Sequence, residues 1–251
     1  MCKISAVVVV YNKRIDACEA LRSLSGAKDI DVLVADNSTR NMGNEALAEK
    51  AGYTYIGMGG NRGLSKAYNR AIGRIGKNDG LICLFDDDTA FGPEYFDILR
   101  ADARAYSGID IFVPVVKDAN GMLSPCIFKG LRGRRAESLS DIPAMNITAI
   151  NSGLAVRAKV FEDYRYDENL FLDYVDHAFI RDTIRNDKSK LRVMDVTIDQ
   201  QFSGSQRQSR GDAMRRYGIF KKDVQYFGAK YGEPKLLVWL LLLRRRLKLL
   251  L

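Results

Sequence analysis

Three consecutive carboxylates, Asp86-Asp87-Asp88, follow directly on the apolar run Leu81 to Phe85 and form the densest chemistry in the chain. Adjacent carboxylates repel one another strongly at low dielectric, so a fold keeps them together where a cation or water compensates. In extended backbone, residues two apart point to the same side, so Asp86 and Asp88 address one site while Asp87 faces away. Hard divalent cations, Mn(II) or Mg(II), take such oxygen ligands and bridge to phosphate oxygens. The plainer reading is a solvated acidic turn ahead of a helix at Pro93. A second cluster is Phe171-Leu172-Asp173-Tyr174-Val175-Asp176-His177. On a helix Asp173 shares a face with Asp176 and His177, and a carboxylate beside an acceptor hydroxyl is a suitable general base. The alternative is an acidic helix N-terminus. A third is Gly57 to Gly63, where a GxGxxG count from Gly57 meets Arg62 instead of glycine, so the dinucleotide fingerprint fails. Its glycines still allow close backbone approach, and Asn61 and Arg62 offer a hydrogen-bonding edge and a charge to a phosphate or sugar. An ordinary tight turn is the competing reading.

The elements that must position these groups alternate through the first 120 residues. Apolar runs at Ile4 to Val10, Ile30 to Ala35, Tyr53 to Ile56, Leu81 to Phe85 and Ile111 to Val116 read as strands. Leu64, Ala67, Tyr68, Ala71, Ile72 and Ile75 recur at helical spacing, and Phe91 to Tyr106 reads as a helix with Pro93 at its first position. This predicts an α/β fold, a mostly parallel central sheet with flanking helices. Ligands of such sheets bind beyond the carboxyl ends of the strands. Those positions hold Tyr11-Asn12, Asp36-Asn37-Ser38, Gly57 to Gly63 and Asp86 to Asp88. Lys129 to Pro143, polar with three arginines and two glycines, reads as a mobile loop.

Composition narrows the chemistry. One histidine, His177, excludes sites built on two or three His ligands, and four unpatterned cysteines (Cys2, Cys18, Cys83, Cys126) offer neither a zinc cluster nor a disulfide framework. A length of 251 residues gives one substantial domain, with an appendage at its end. The formal charge of +8 hides an asymmetry: residues 1–200 sum to −1, and residues 201–251, with 12 basic and 3 acidic side chains, to +9. No nucleic-acid partner is therefore expected. The tail carries Leu236 to Leu243 without interruption, then Arg244, Arg245, Arg246, Leu247 and Lys248. That is short of the roughly 20 apolar residues of a membrane span. It reads as a basic amphipathic helix anchored on an anionic membrane surface, or as a terminal helix packed on the body or on a second copy in a homodimer. Met1-Cys2-Lys3 leads straight into Ile4 to Val10 with no secretory cleavage pattern, so the expected location is cytoplasmic, peripheral at the inner face of the cell membrane.

Six motifs in order give a resemblance: VVVVYN at 7–12, ADNST at 35–39, NRGLSKAYNRAI at 61–72, LFDDD at 84–88, INSGLAVRAKVF at 150–161 and LFLDYVDHAF at 170–179. Together they resemble the inverting family 2 glycosyltransferases with the nucleotide-sugar-binding GT-A fold, closest to the rhamnosyltransferase-like and galactofuranosyltransferase-like subgroup. The resemblance covers roughly residues 3 to 205, which implies a GT-A domain over 1–205 and a basic helical extension over 206–251. It implies that Tyr11, Asn12 and Asp36 line the nucleotide, with Asn61 and Gly63 beside the donor. Asp86, Asp87 and Asp88 would sit at the diphosphate and metal, Asp88 and Asp86 as its ligands. Asn151, Ser152, Gly153 and His177 would shape the acceptor site. Asp176 matches the catalytic base, with Asp173 the second candidate. The family often carries a His in an H-x-x-G segment that completes the metal site; here Gln201-Phe202-Ser203-Gly204 stands there.

The implied reaction moves a sugar from a UDP- or dTDP-linked donor to a hydroxyl of a growing, lipid-linked surface polysaccharide, in one inverting displacement assisted by a divalent metal. Two rivals stand beside it. A sugar-nucleotide pyrophosphorylase would open with a glycine-rich basic loop after the first strand, where this chain has Tyr11-Asn12-Lys13-Arg14. A non-catalytic nucleotide-sugar-binding subunit fits the Gln201 replacement but not the acidic triplet.

Overall fold

The computed structural model describes residues 2–77, 79–184, 189–200 and 209–249. In chain order these form β1 (Ile4–Val10), α1 (Glu19–Leu24), β2 (Ile30–Asp36), α2 (Asn44–Ala51), β3 (Thr54–Gly57), α3 (Leu64–Ile75), β4 (Leu81–Asp86), α4 (Glu94–Ala105) and β5 (Ile111–Asp118). There follow β6 (Gly121–Ser124), β7 (Cys126–Lys129), β8 (Arg132–Arg134), β9 (Ile147–Thr148), β10 (Leu154–Arg157), α5 (Val160–Asp163), α6 (Val175–Ile184), β11 (Leu191–Asp199), α7 (Arg210–Lys230) and α8 (Lys235–Lys248).

The main sheet runs β11-β5-β10-β4-β1-β2-β3, with β6 added on β5. Strands β1 to β4 are mutually parallel, β11 is parallel to β5, and β10 lies antiparallel between β4 and β5. Parallel strands covered on both faces read as continuous apolar runs, and every residue of β1 but Val9 is buried. Side chains of β2 alternate between two cores. Leu33 faces α3, α6 and α7, while Val32 and Val34 face α1, α2 and α4. Each large apolar side chain removed from water stabilises this three-layer packing by about 1.5–3 kcal/mol. The apolar stripe predicted from Leu64 to Ile75 is α3, whose Ala67, Tyr68, Ala71 and Ile72 are buried on the sheet.

The five expected strands are present within a residue or two. The antiparallel β10 was not predicted, because a short buried run inside 150–161 has no distinguishing period. Lys129 to Pro143 departs from the expected mobile loop. It contains β8 paired with β7, the Arg135–Asp118 ion pair, and a 3-10 turn at Leu139–Asp141 closed by reciprocal Ser138 and Asp141 capping bonds. The expected domain boundary at 205–206 lies outside the described residues. Beyond it, α7 joins the main core through Phe220, Val224 and Phe227.

Candidate functional site: an acidic crevice at the strand ends

At the carboxyl ends of β1, β2 and β3 the polar groups hold one another. Asp36, the buried last residue of β2, accepts hydrogen bonds from the Ser38 N–H (2.9 Å), Asn44 Nδ2 (2.9 Å) and Tyr55 hydroxyl (3.1 Å). Burial, reinforced by Asp36, pushes the Tyr55 phenol up to about 12. Asn12 takes a left-handed φ of 49°. Its N–H donates to Ser38 Oγ, and its Oδ1 accepts from the N–H and hydroxyl of Thr39. Tyr11 beside it is 49% exposed and offers an aromatic face at the rim. Asn37 closes the arrangement: its Nδ2 donates to Asn61 Oδ1, and its Oδ1 accepts the Arg62 N–H at 2.7 Å. Gly63 then enters α3 with φ 92°, where a Cβ would fall 2.8 Å from the Phe171 ring, so only glycine fits. An open groove of about 1010 Å³ runs along Asp36, Ser38, Tyr55 and Gly57 to Gly60.

The acidic triplet follows β4. Asp87 turns away to Lys13 (3.2 Å), although β4 ends at Asp86 and a turn over 86–89, not the extended backbone expected, sets the direction. Asp86 accepts from Ser152 Oγ at 2.8 Å, and Asp88 accepts from Gln200 Nε2 at 3.2 Å. Protein packed around Asp86 raises its carboxyl to about 6; the Ser152 hydroxyl opposes this, and Asp88, Asp176 and Asp87 add to it. Asn151 and Ser152 are buried. Gly153 is buried too, with φ 78° and the place of a Cβ 2.5 Å from Ile198, so it forms the turn that presents Ser152 and offers no surface of its own.

Asp173 and Asp176 do not share a helix face. The helix α6 starts at Val175, after Tyr174 at a left-handed φ of 65°. Asp173 is held by the two terminal guanidinium nitrogens of Arg216 on α7. Asp176 stands in the first turn of α6, where its Oδ1 accepts the His177 N–H. His177 packs on the Phe128 ring at 4.3 Å and its Nδ1 meets Thr148 Oγ1 at 2.8 Å, which ties α6 to the small sheet. The segment before α6 is clamped from both sides. The Phe171 carbonyl accepts the Leu64 N–H at the start of α3, and the Leu170 carbonyl accepts from Ser65 Oγ. From behind, the buried Asp223 of α7 accepts the N–H groups of Phe171, Leu172 and Asp173 at 2.8–2.9 Å.

Among the described residues three buried oxygens near the acidic groups, Asn151 Oδ1, the Tyr166 hydroxyl and Gln200 Oε1, lack partners, while the Tyr68 hydroxyl has the Asn151 amide beside it. Asp86 and Asp176 both bear on the Tyr68 hydroxyl electrostatically, and Asp176 bears on Tyr166. Unsatisfied buried polar atoms are costly in a closed core and expected where a ligand completes them. Among the described residues no group of three or more His, Cys, Asp or Glu side chains is placed to hold a metal. A hard cation that takes most of its oxygens from a diphosphate and water needs only one or two carboxylates. Asp88, with the unpartnered Gln200 oxygen beside it, fits that requirement. Gln201, the residue expected where the H-x-x-G histidine would stand, lies outside the described residues.

Sequence reading missed several contributors. Asn37 and Ser38 were visible only as a polar strand end, and Asn44 and Tyr55 as ordinary helix and strand residues. Nothing local marks Gln200 or Asp223, because their partners are 112 and about 50 residues away.

Residues 5–142 match the family model described as glycosyl transferase family 2. Among curated proteins, the dTDP-rhamnosyl transferase RfbF of Shigella flexneri is 30% identical over 180 residues, covering 69% of this chain and 60% of that protein. The chain thus spans about 60% of the length of this relative. Among solved structures, the mannosyltransferase PcManGT of Pyrobaculum calidifontis in complex with GDP-Man and Mn2+ aligns with a TM-score of 0.61 at 14% identity, over 98% of this chain and 69% of that one. The glucosyl-3-phosphoglycerate synthase of Mycobacterium tuberculosis, in complex with Mn2+, UDP and phosphoglyceric acid, aligns at 0.59 and 14%, over 93% and 80%. TarS of S. aureus aligns at 0.58 and 16%, over 90% and 40%. At such identities the likeness establishes the fold, which is GT-A.

Proposed function

The chain belongs to glycosyl transferase family 2, and from that premise we propose that it transfers a sugar from a dTDP- or UDP-linked donor to a hydroxyl of a growing, lipid-linked surface polysaccharide, with inversion. The observation that carries this reading is the acidic cluster in which Asp88, Asp176 and Asp87 bear on the buried Asp86, beside buried oxygens that lack partners among the described residues. The groove beside Asp36 and the exposed ring of Tyr11 would take the nucleotide. Asp88 and Asp86 would hold a divalent cation, Mn(II) or Mg(II), with the Gln200 amide beside them. When bound, such an ion neutralises charge on the departing diphosphate.

Asp176 is the base in this scheme. Its carboxylate removes the proton from the acceptor hydroxyl, whose oxygen attacks the anomeric carbon from the face opposite the leaving diphosphate. One displacement inverts the centre. Asp173 is occupied by Arg216 and serves to fix the segment in front of α6. Asn151 and Ser152 would line the acceptor side, with Ser152 also fixing Asp86.

The relative's name makes dTDP-rhamnose the first donor to try. The test is release of nucleoside diphosphate from dTDP- and UDP-sugars with Mn(II) or Mg(II), against chelator and against Asp88→Ala. Metal-dependent release that the variant loses supports the proposal. Silence across all donors would make the chain a non-catalytic nucleotide-sugar binder.

A further inference from the structure

The helix α8 has two faces of opposite character. Leu242 is buried in the main core and Val238 and Leu241 pack against it, while the Arg245 guanidinium lies 3.8 Å over the Phe220 ring of α7. The approach is close: a Cβ on Gly228 of α7 would fall 2.8 Å from Val238. The opposite face is left exposed among the described residues. Leu236, Leu240, Leu243 and Leu247 follow the i, i+4, i+7, i+11 spacing of one helical stripe, and all four are exposed, Leu236 at 65%. Turning the helix at 3.6 residues per turn sets Trp239, Arg246 and Lys235 along one edge of that stripe and Arg244, Leu237 and Lys248 along the other. Trp239 is itself 57% exposed. The helix holds no acidic residue, and among the described residues no helix is long and apolar enough to cross a membrane.

We infer that this face of α8 docks the protein on an anionic lipid surface, with the leucines and Trp239 in the acyl boundary and the two rows of cations at the headgroups. The charge pattern selects this occupant. An apolar stripe bordered on both sides by cations, with no acid among them, repels its own copy across a two-fold contact and matches a negative plane. The buried face fixes how the stripe is presented, because Leu242 and Arg245 leave the helix one way to sit.

Trp239 is the only tryptophan in the chain, so its emission reports on this face alone. With the full chain and vesicles containing phosphatidylglycerol, the emission should move to shorter wavelength and the protein should float with the vesicles. Neutral phosphatidylcholine vesicles should do neither, and high salt should weaken the effect. In Arg244→Gln/Arg246→Gln, whose changes lie on exposed helix, partitioning should weaken roughly thirtyfold, at about 1 kcal/mol per cation near the surface. Leu240→Gln/Leu243→Gln should abolish it. No flotation with anionic vesicles, equal binding to neutral ones, or a vesicle-free dimer that already shields Trp239 would overturn the proposal. None of these readings depends on sugar transfer.

Discussion

The two ends of the crevice treat their carboxylates in opposite ways. Asp36 receives a backbone N–H, an amide and a phenol, so its charge is compensated before any ligand arrives. Asp86 has one serine hydroxyl and feels three neighbouring acids, and the buried oxygens of Asn151 and Gln200 nearby have no partner among the described residues. The Asp36 end, where the proposed scheme puts the nucleotide, is therefore built in advance, and stability is spent there on shape. The acidic end is left incomplete, and in the proposed scheme its cost is offset when cation, diphosphate and acceptor enter.

This contrast can be broken by substitution. The largest effect belongs to Asp176→Asn, which should lower the initial transfer rate by about 10²–10⁴-fold while the thermal melting point stays put; full activity would remove Asp176 as the base. Next is Asp36→Ala, which strands the Ser38 N–H, Asn44 Nδ2 and Tyr55 hydroxyl and should cost roughly 3 kcal/mol in denaturant unfolding. A loss of activity without a loss of stability would show that the nucleotide end is not held as the structure has it. Asp86→Asn should do the reverse. The Asp86 carboxyl is raised to about 6 in the fold against 3.8 unfolded, so in metal-free protein the wild type loses stability as pH rises from about 4 to 6. The asparagine variant escapes that loss, and above pH 6 it should be more stable by roughly 1–3 kcal/mol, with no gain below pH 4. Equal stability of variant and wild type at pH 7 would mean that Asp86 carries no burial penalty. The smallest effect is expected for Asp87→Asn, whose partner Lys13 is part-exposed. Loss of that pair should cost about 1 kcal/mol or less in unfolding and spare most activity.

What the sequence made legible follows the same line. The strand ends were readable because apolar runs stop abruptly at polar residues, as at Val10-Tyr11 and Phe85-Asp86. Asp87 does point away from Asp86, but through the turn that follows β4 at Asp86 and not by strand alternation, which stops there. The antiparallel β10 and the small sheet were not readable, since strand pairing is decided by tertiary packing. Asp173 was misplaced for a related reason: helical spacing was assumed across Tyr174, whose left-handed backbone no local pattern announces. Its partner Arg216 and the clamp Asp223 lie more than 40 residues downstream, beyond the reach of any periodicity.

The position of Asp223 also bears on how a minimal fragment of this protein should be drawn. A chain cut in the 201–208 stretch would keep every side chain assigned here to donor, cation or acceptor, yet three amides beside the start of α6 would lose their acceptor. Deletion mapping would then register a dead enzyme and place an essential residue in the tail, although Asp223 acts there only by holding the segment before α6. Cutting after Gly232 removes α8 and keeps the carboxylate in place. The two truncations separate scaffolding from the proposed membrane contact, and the shortest fragment worth making ends between the last two helices.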